Sequence, residues 1–178
     1  MKKLSLSAIG KDKPGIVSSI SKVLFELGCN IEDSTMTLLG GQFAVILLLA
    51  CPRNADIAKI KTKLKSSLKN LDLSISVNEV ETPKKDKKNF GDYIIAVYGA
   101  DKAGIVYSVS RYLADNKINI TDVQTKIAGN KKQKVYIMLL EVNIPKSLKI
   151  DDFKHYLHHL AEDLEVEIFV NQADSTTI

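Results

Sequence analysis

The sequence lacks any apolar run long enough to cross a membrane, which takes about 20 residues of helix. Its longest such run, Phe43 to Cys51, has the length of a single strand. The opening Met1-Lys2-Lys3-Leu4 leads into alternating apolar and polar positions, and not into the continuous apolar segment of a signal peptide. We therefore expect a globular protein of the cytoplasm.

Cysteine is also scarce. The two cysteines, Cys29 and Cys51, form no CxxC pair, so the sequence gives no support for a metal chaperone. If glycines 40 and 41 close a tight hairpin, the two cysteines lie nearly opposite each other on neighbouring strands. They could then form a redox-sensitive bridge, but a reducing cytoplasm favours two thiols. We expect two reduced thiols in the core.

The three histidines are His155, His158 and His159, and all fall on one predicted helix. The i, i+4 spacing of His155 and His159 could hold a metal ion. The core face of this helix, however, contains Phe153 and Leu157, so the histidines are expected to project into solvent. We predict no metal site and no cofactor.

What the sequence does contain is an internal repeat. The segment Gly10-Lys11-Asp12-Lys13-Pro14-Gly15-Ile16-Val17 returns 89 positions later as Gly99-Ala100-Asp101-Lys102-Ala103-Gly104-Ile105-Val106. Over residues 10–33 and 99–122, 12 of 24 positions are identical. A repeat of this length indicates two domains built on the same plan.

The repeat places the domains at residues 1–82 and 90–178. The segment between them, 83–89, carries four lysines and one aspartate and is typical of a short charged linker. Much of the net charge of +4 therefore lies in the linker and not on a binding face. Charge of this kind is a weak argument for nucleic-acid binding.

Each half shows the same series of hydrophobic patterns. Leu4, Leu6 and Ala8 alternate with polar residues, as in a strand. Apolar residues from Ile16 to Leu27 then recur at helical spacing. The rest of the first half predicts strands at 30–38 and 43–50, a helix at 57–71 and a strand at 73–77. The second half predicts a strand near 92–98, a helix at 103–117, strands at 119–128 and 134–143, a helix at 150–164 and a strand at 166–172.

The order in both halves is βαββαβ, and the fold class is α+β. Each half should form an antiparallel sheet with its two helices on one face. The run from Phe43 to Ala50 places apolar side chains on both faces of its strand. We therefore expect the open face to be covered by the sister unit or by another chain.

The loop between the first strand and the first helix carries the clearest functional signal. Gly10 lets the chain leave the strand, Asp12 is a candidate N-cap, and Pro14 fits the first helical turn. Gly15 has no side chain, so a ligand can approach the backbone closely. The N–H groups of about Gly15 to Val17, with the positive end of the helix dipole, suit a carboxylate.

Asn30 begins the second strand, and in this fold it could lie beside the loop. Its side chain carries a donor and an acceptor, so it can address a carboxylate and an ammonium group together. The matching set in the second half is Asp101, Gly104, Ile105 and Asn119, with an alanine in place of the first proline. These sets predict a clamp for an α-amino acid.

In these residues the sequence resembles the ACT-domain family. The resemblance rests on the repeated loop, on the segment Gly28-Cys29-Asn30-Ile31-x-Asp33-Ser34 and on Met36, Gly41 and Phe43. The resemblance covers nearly the whole chain and both repeats. More narrowly, the sequence resembles the tandem-ACT proteins typified by the glycine cleavage system transcriptional repressors. This resemblance implies ferredoxin-like βαββαβ domains that bind amino acids at domain interfaces and regulate a partner. The matching ligand-binding positions are Asp12, Pro14, Gly15, Ile16 and Asn30, together with Asp101, Gly104, Ile105 and Asn119.

The second half departs from this pattern at two places. Ala103 stands where the first half has Pro14, and Lys117-Ile118 stands where it has Gly28-Cys29. The loop of the second half should therefore be less rigid and differently tuned.

We expect a non-catalytic amino-acid sensor that forms a homodimer and contacts a protein regulator or an enzyme. An acylphosphatase-like hydrolase is the alternative from another class, but that resemblance needs an arginine in the loop. Neither loop has one, and Lys11, Lys13 and Lys102 are poor bidentate substitutes. No Ser–His, Cys–His or paired-carboxylate arrangement suggests catalytic residues, and no helix-turn-helix suggests direct DNA binding. A scaffold that has kept the fold without the ligand is the other alternative.

Overall fold

The two halves of the repeat fold in the same order of strands and helices. The computed structural model describes residues 1–81, 90–129 and 134–173. The chain divides into two compact units, Met1–Lys84 and Lys85–Ile178. The linker expected at 83–89 lies outside the described residues.

In the first unit, a strand leads into a helix, two further strands, a second helix, a short 3₁₀ turn and a last strand. The elements are β1 (Lys2–Lys11), α1 (Ile16–Glu26), β2 (Asn30–Leu39), β3 (Gln42–Cys51), α2 (Ile57–Ser67), the 3₁₀ turn (Lys69–Leu71) and β4 (Leu73–Glu79). The second unit contains β5 (Phe90–Gly99), α3 (Ile105–Asp115), β6 (Asn119–Gly129), β7 (Lys134–Pro145), α4 (Ile150–Leu164) and β8 (Val166–Gln172).

Each unit has one four-stranded antiparallel sheet. The strand orders are β2-β3-β1-β4 and β6-β7-β5-β8, and every neighbouring pair is antiparallel. Antiparallel βαββαβ units were predicted from the repeat, and the topology confirms them. Among the described helices, none combines the length and hydropathy needed to cross a membrane.

The core of each unit lies between its sheet and its two helices. In the first unit, Leu4 and Leu6 of β1 are buried against Ile20 of α1 and Leu64 of α2. The second unit repeats this with Ile95, Val109 and Phe153. Full burial of one such side chain contributes about 1.5–3 kcal/mol, so alternation along β1 fixes which face meets the helices.

Two predicted helices end earlier than their hydrophobic patterns suggested. Helix α2 stops at Ser67, and Leu71 belongs to the 3₁₀ turn that follows. Helix α3 spans Ile105–Asp115 and not 103–117, because Lys117 takes a positive φ of 57°. Apolar residues beyond a helix end can still pack against the core, so hydrophobic spacing alone overestimates the length.

Cys29 and Cys51 are joined by a disulfide. The tight hairpin through Gly40 and Gly41 starts the pairing of β2 with β3, and a register shift between Ile31 and Asp33 then brings Asn30 opposite Ala50. The two cysteines form the next facing pair, with Cα atoms 4.2 Å apart. The expectation of two reduced thiols is therefore wrong for this structure. The corresponding residues of the second unit, Ile118 and Ile144, form a buried apolar pair instead.

The edge strands β2 and β6 are exposed along almost their whole length. They run for 10 and 11 residues and carry exposed apolar side chains such as Met36, Leu38 and Ile127. On the sheet face opposite the helices, Ile46 and Leu48 of β3 are also exposed. The expected cover over this face stays a prediction.

Candidate functional site

The β1–α1 loop turns into the helix at Gly15. This residue is the N-cap of α1, with φ 91° and no side-chain cap, and the first helical bond runs from Ser19 N–H to the Gly15 carbonyl at 2.9 Å. No acceptor in the described residues bonds to the N–H groups of residues 16–18. Three such donors at the positive end of an 11-residue helix have the arrangement that suits a small anion.

Asp12 and Pro14 have different roles from those predicted. Asp12 is not the N-cap; its backbone N–H instead donates to the Gly41 carbonyl at 3.0 Å. Pro14 precedes the helix and does not lie in its first turn, because the left-handed Gly15 separates the two. The acidic side chain of Asp12 therefore does not occupy the free donors, which stay available to a ligand.

The second unit builds the same loop without the proline. Gly104 caps α3 with φ 100°, and Ser108 N–H donates to its carbonyl at 2.8 Å. No acceptor in the described residues bonds to the N–H groups of residues 105–107. A Cβ added at Gly104 would find nothing within 4 Å, and one at Gly15 would find only the Ser18 hydroxyl at 4.0 Å. Both loops therefore leave open space beside the free donors.

A lysine anchors each loop to the turn before the last strand of its unit. The Lys13 ammonium donates to the Asn70 carbonyl at 3.2 Å, and Lys102 forms an ion pair with Glu165. The hydrogen bond from Lys102, and then its positive charge, hold the pKa of Glu165 below its ordinary value of 4.5. The lysines are thus engaged in fixing the loops.

Tyr136 lies near the second loop, and the charge of Asp101 in that loop affects its pKa. Burial, followed by the negative charge of Asp101, raises the pKa of Tyr136 above 10.0, while a hydrogen bond with Thr125 acts in the opposite direction. Tyr136 pairs with Gly99, the last residue of β5. Tyr136 therefore lies close enough to the second loop for the charge of Asp101 to act on its phenol.

Asn30 lies at the opposite end of the sheet from the loop of its own unit. Lys11, at the end of β1, pairs with Gln42, whereas Asn30 pairs with Ala50. The eight residue steps of β3 from Gln42 to Ala50 span about 26 Å. Helix α1 runs back along the sheet between the loop and Asn30, so the expectation that the two are neighbours within a unit is wrong.

The same separation holds in the second unit. Gly99 pairs with Tyr136 and Asn119 with Asn143, at opposite ends of β7. Asp101, Gly104 and Ile105 lie in or next to the loop, and Asn119 does not. In each unit the structure brings the loop residues together and leaves the asparagine apart.

An apolar groove runs beside α1 in the first unit. It encloses about 190 Å³ between α1 and the strands β2 and β3. Val17 and Ser21 line it from the helix and Met36 and Phe43 from the sheet. Because Val17 also carries one of these backbone N–H donors, the groove opens next to the start of α1. The sequence contains the apolar residues of β2 that line the groove, such as Met36, but their residue types alone do not distinguish them from core residues.

A larger cavity of about 400 Å³ lies in the second unit, far from the loop. It is lined by Tyr93, Pro145, Lys146 and Gln172, among others, near the ends of β5 and β7. It shares no residue with the repeated loop. We therefore assign the candidate site to the loops and not to the larger cavity.

The chain is similar to ACT-domain proteins over nearly its whole length. The family model of the ACT domain matches residues 2–78 and again 92–171. The glycine cleavage system transcriptional repressor of Escherichia coli (strain K12) is 26% identical over 170 residues, covering 94% of this chain and 88% of that protein. A UPF0237 protein of Methanocaldococcus jannaschii is 36% identical over 78 residues, covering 43% of this chain and 87% of that protein.

The solved structures agree on the fold. The crystal structure of an unknown protein from Galdieria sulphuraria has 27% sequence identity and a TM-score of 0.83. The superposition covers 97% of this chain and 99% of that chain. That chain and this one therefore match over nearly their whole lengths, through both units of the repeat.

Proposed function

Because the chain belongs to the ACT-domain family in both of its halves, we propose that it senses an amino acid and signals through protein contact. It is an ACT-domain regulatory protein related to the glycine cleavage system transcriptional repressor. The observation that carries the ligand proposal is the pair of glycine-capped helix starts, each with three free N–H donors.

The ligand carboxylate binds the N–H groups of residues 16–18 in the first unit. Two charge-assisted hydrogen bonds from the backbone, together with the helix dipole, hold a carboxylate without a basic side chain. The neighbouring groove is lined mostly by apolar residues such as Val17, Met36 and Phe43. An amino acid with a small or medium apolar side chain therefore suits this site best.

The asparagine that contacts the ligand is supplied by a second copy of the chain. Within one unit, Asn30 is about 26 Å from the loop. The loop lies near Leu39, at the far end of the same edge strand. If two β2 strands pair in antiparallel fashion, Asn30 of the partner subunit comes to lie opposite Leu39 and close to the loop.

The edge strands are suited to such pairing. Leu38 and Leu39 are 58% and 76% exposed, and nothing in the described residues pairs with the outer edge of β2. Long, exposed apolar edges are templates for strand addition. A homodimer in solution is the expected state, and light scattering that shows a monomer at ligand-saturating concentrations would exclude it.

Ligand binding biases which assembly or surface a protein regulator recognises. The energy available for that signal is the difference in ligand affinity between the two states. The related Escherichia coli protein is described as a transcriptional repressor, and a regulator of transcription in the cytoplasm is the partner we propose.

A thermal-unfolding screen against the twenty amino acids tests the ligand proposal. At about 100 times its Kd, a ligand stabilises the folded state by about 2.7 kcal/mol. This corresponds to about 10 °C or more for a domain of this size. The matched control is the carboxamide of the same amino acid, which lacks the carboxylate and should give no shift.

Either of two results would contradict the proposal. If no amino acid shifts the transition, the protein is a scaffold that has kept the fold without the ligand. If the carboxamide shifts it as much as the free acid, the ligand lies away from the free N–H donors.

A further inference from the structure

The two histidines one helical turn apart on α4 have the geometry of a chelate. The Nε2 atoms of His155 and His159 are 3.1 Å apart. Metal–nitrogen bonds to histidine are about 2.0–2.1 Å long, so an ion bound by both atoms would subtend an angle of about 98°. This value lies between the square-planar and tetrahedral angles that late transition metals adopt.

A carboxylate orients one of the two rings. The Nδ1 atom of His159 lies 3.3 Å from a carboxylate oxygen of Glu162. When Nδ1 carries the proton and donates to Glu162, Nε2 keeps its lone pair and faces His155. A carboxylate that fixes the tautomer of a ligating histidine is the usual outer-shell partner of a metal site.

The surrounding helix favours a cation. Helix α4 carries four acidic side chains, namely Asp151, Asp152, Glu162 and Asp163, and one basic side chain, Lys154. Both rings are exposed, so an ion can reach them directly. Among the described residues, no group of three or more His, Cys, Asp or Glu side chains is placed to hold a metal. An ion held by the two histidines would therefore take its other ligands from water.

We propose that His155 and His159 form a bidentate surface site for a divalent late transition-metal ion such as Cu²⁺ or Ni²⁺. The histidines are indeed on the solvated face of α4, as expected from the sequence. That expectation overlooked the ring geometry, which depends on side-chain rotamers that spacing does not give. The same 3.1 Å also fits a hydrogen bond between the two rings, and the ion takes the place of its proton.

His158 is the matched control, because it lies on the same helix and outside the chelate. Its Nε2 faces Glu162 at 3.7 Å, and its ring centroid is 6.2 Å from that of His159. It is as exposed as its neighbours, so its substitution should leave the fold unchanged. The chain has three histidines, so each ring can be followed separately in a tag-free protein.

The test is a Cu²⁺ titration of the full, tag-free chain, followed by the imidazole C–H resonances in NMR. We expect the His155 and His159 resonances to broaden first, at less than one equivalent, and the His158 resonances to broaden later. Equal broadening of all three, or none at one equivalent, would overturn the proposal.

Calorimetric titration with Ni²⁺ supplies the second readout. His155→Gln and His159→Gln should each lose the chelate and at least tenfold in affinity, whereas His158→Gln should bind as the wild type does. Glu162→Gln should weaken binding about tenfold, as expected for an outer-shell carboxylate. A loss of affinity in His158→Gln equal to that in His155→Gln would contradict the assignment. Circular dichroism of each variant checks that α4 stays folded.

Discussion

Replacing Gly15 by alanine should weaken amino-acid binding and leave the fold standing. Gly15 caps α1 with φ 91°, a left-handed conformation that alanine adopts at a cost of about 1–2 kcal/mol. Apart from the two residues next to Gly15 in the chain, no described atom lies closer than 4.0 Å to the position of the new Cβ. The only strain is therefore in the backbone, and the methyl group projects into the space where the ligand should lie.

The size of the two effects follows from this geometry. A loss of about 1–2 kcal/mol lowers the midpoint of thermal unfolding by about 4–16 °C for a unit of this size. The methyl group also keeps a carboxylate out of hydrogen-bonding distance of the N–H groups of residues 16–18. Loss of charge-assisted bonds worth about 1.5–3 kcal/mol corresponds to at least a tenfold increase in Kd.

Gly40→Ala is the matched control for the backbone cost. Gly40 has φ 58° and open space around it, but it lies in the β2–β3 hairpin and caps no helix. Both variants should lose similar stability, and Gly15→Ala alone should lose affinity. Gly104→Ala tests the second loop in the same way, and Gly15→Ala combined with Gly104→Ala should abolish binding.

Isothermal titration calorimetry with the amino acid found in the thermal screen measures these affinities. Wild-type affinity in Gly15→Ala, with the expected drop in stability, would refute the assignment of the ligand to this loop. An equal loss of affinity in Gly40→Ala would show that backbone strain anywhere in the unit weakens binding. The loss in Gly15→Ala would then be no evidence that the ligand lies at this loop.

Three further predictions concern single features of the units. The disulfide joins two cysteines separated by 22 residues, so its reduction should lower the unfolding free energy of the first unit, measured in urea, by about 3 kcal/mol. The stability of Cys51→Ser should not respond to reductant. A wild type whose stability is unchanged by reductant would contradict the Cys29–Cys51 bond. Gly99→Ala should destabilise the second unit by about 1–3 kcal/mol, because the new Cβ would lie 2.6 Å from a methyl of Val166; an unchanged melting temperature would contradict this contact. Asn30→Ala should weaken ligand binding at an exposed position while changing stability by less than about 0.5 kcal/mol, and unchanged affinity by calorimetry would remove Asn30 from the site.

The strands and helices could be predicted because their side chains report burial directly. Leu4, Leu6 and Ala8 alternate with polar residues because one face of β1 is buried. The repeat then predicts the same elements in the second half. Helix α4 was predicted at 150–164 and spans Ile150–Leu164, since Glu165 adopts a left-handed conformation and ends it. Periodicity describes such elements well.

The cap of α1 could not be read from the sequence with the same success. Asp12 and Gly15 both fit the start of a helix by residue type, and the difference between them is a backbone angle. The positive φ of Gly15 moved the helix start three residues beyond Asp12. The loop was therefore found, but the roles of its residues were exchanged.

The position of Asn30 was missed for a topological reason. A sequence shows that Asn30 follows α1, but not that α1 carries the chain to the other end of the sheet. The register of β3 with both neighbours shows this at once. The disulfide is a similar case. The hairpin placed the two cysteines nearly opposite each other, but neither the register shift between Ile31 and Asp33 that aligns them nor the bond itself could be predicted from the sequence.

The most direct test of the proposed function is an amide ¹⁵N–¹H NMR titration with the amino acid that stabilises the protein. The account predicts that the largest shifts fall on residues 16–18 and 105–107, whose N–H groups have no acceptor among the residues that the structure describes. Shifts should extend to Asn30 as the second copy closes the site. Saturable shifts confined to other regions, such as the cavity around Tyr93 and Lys146, would contradict an amino-acid site at the glycine-capped helix starts.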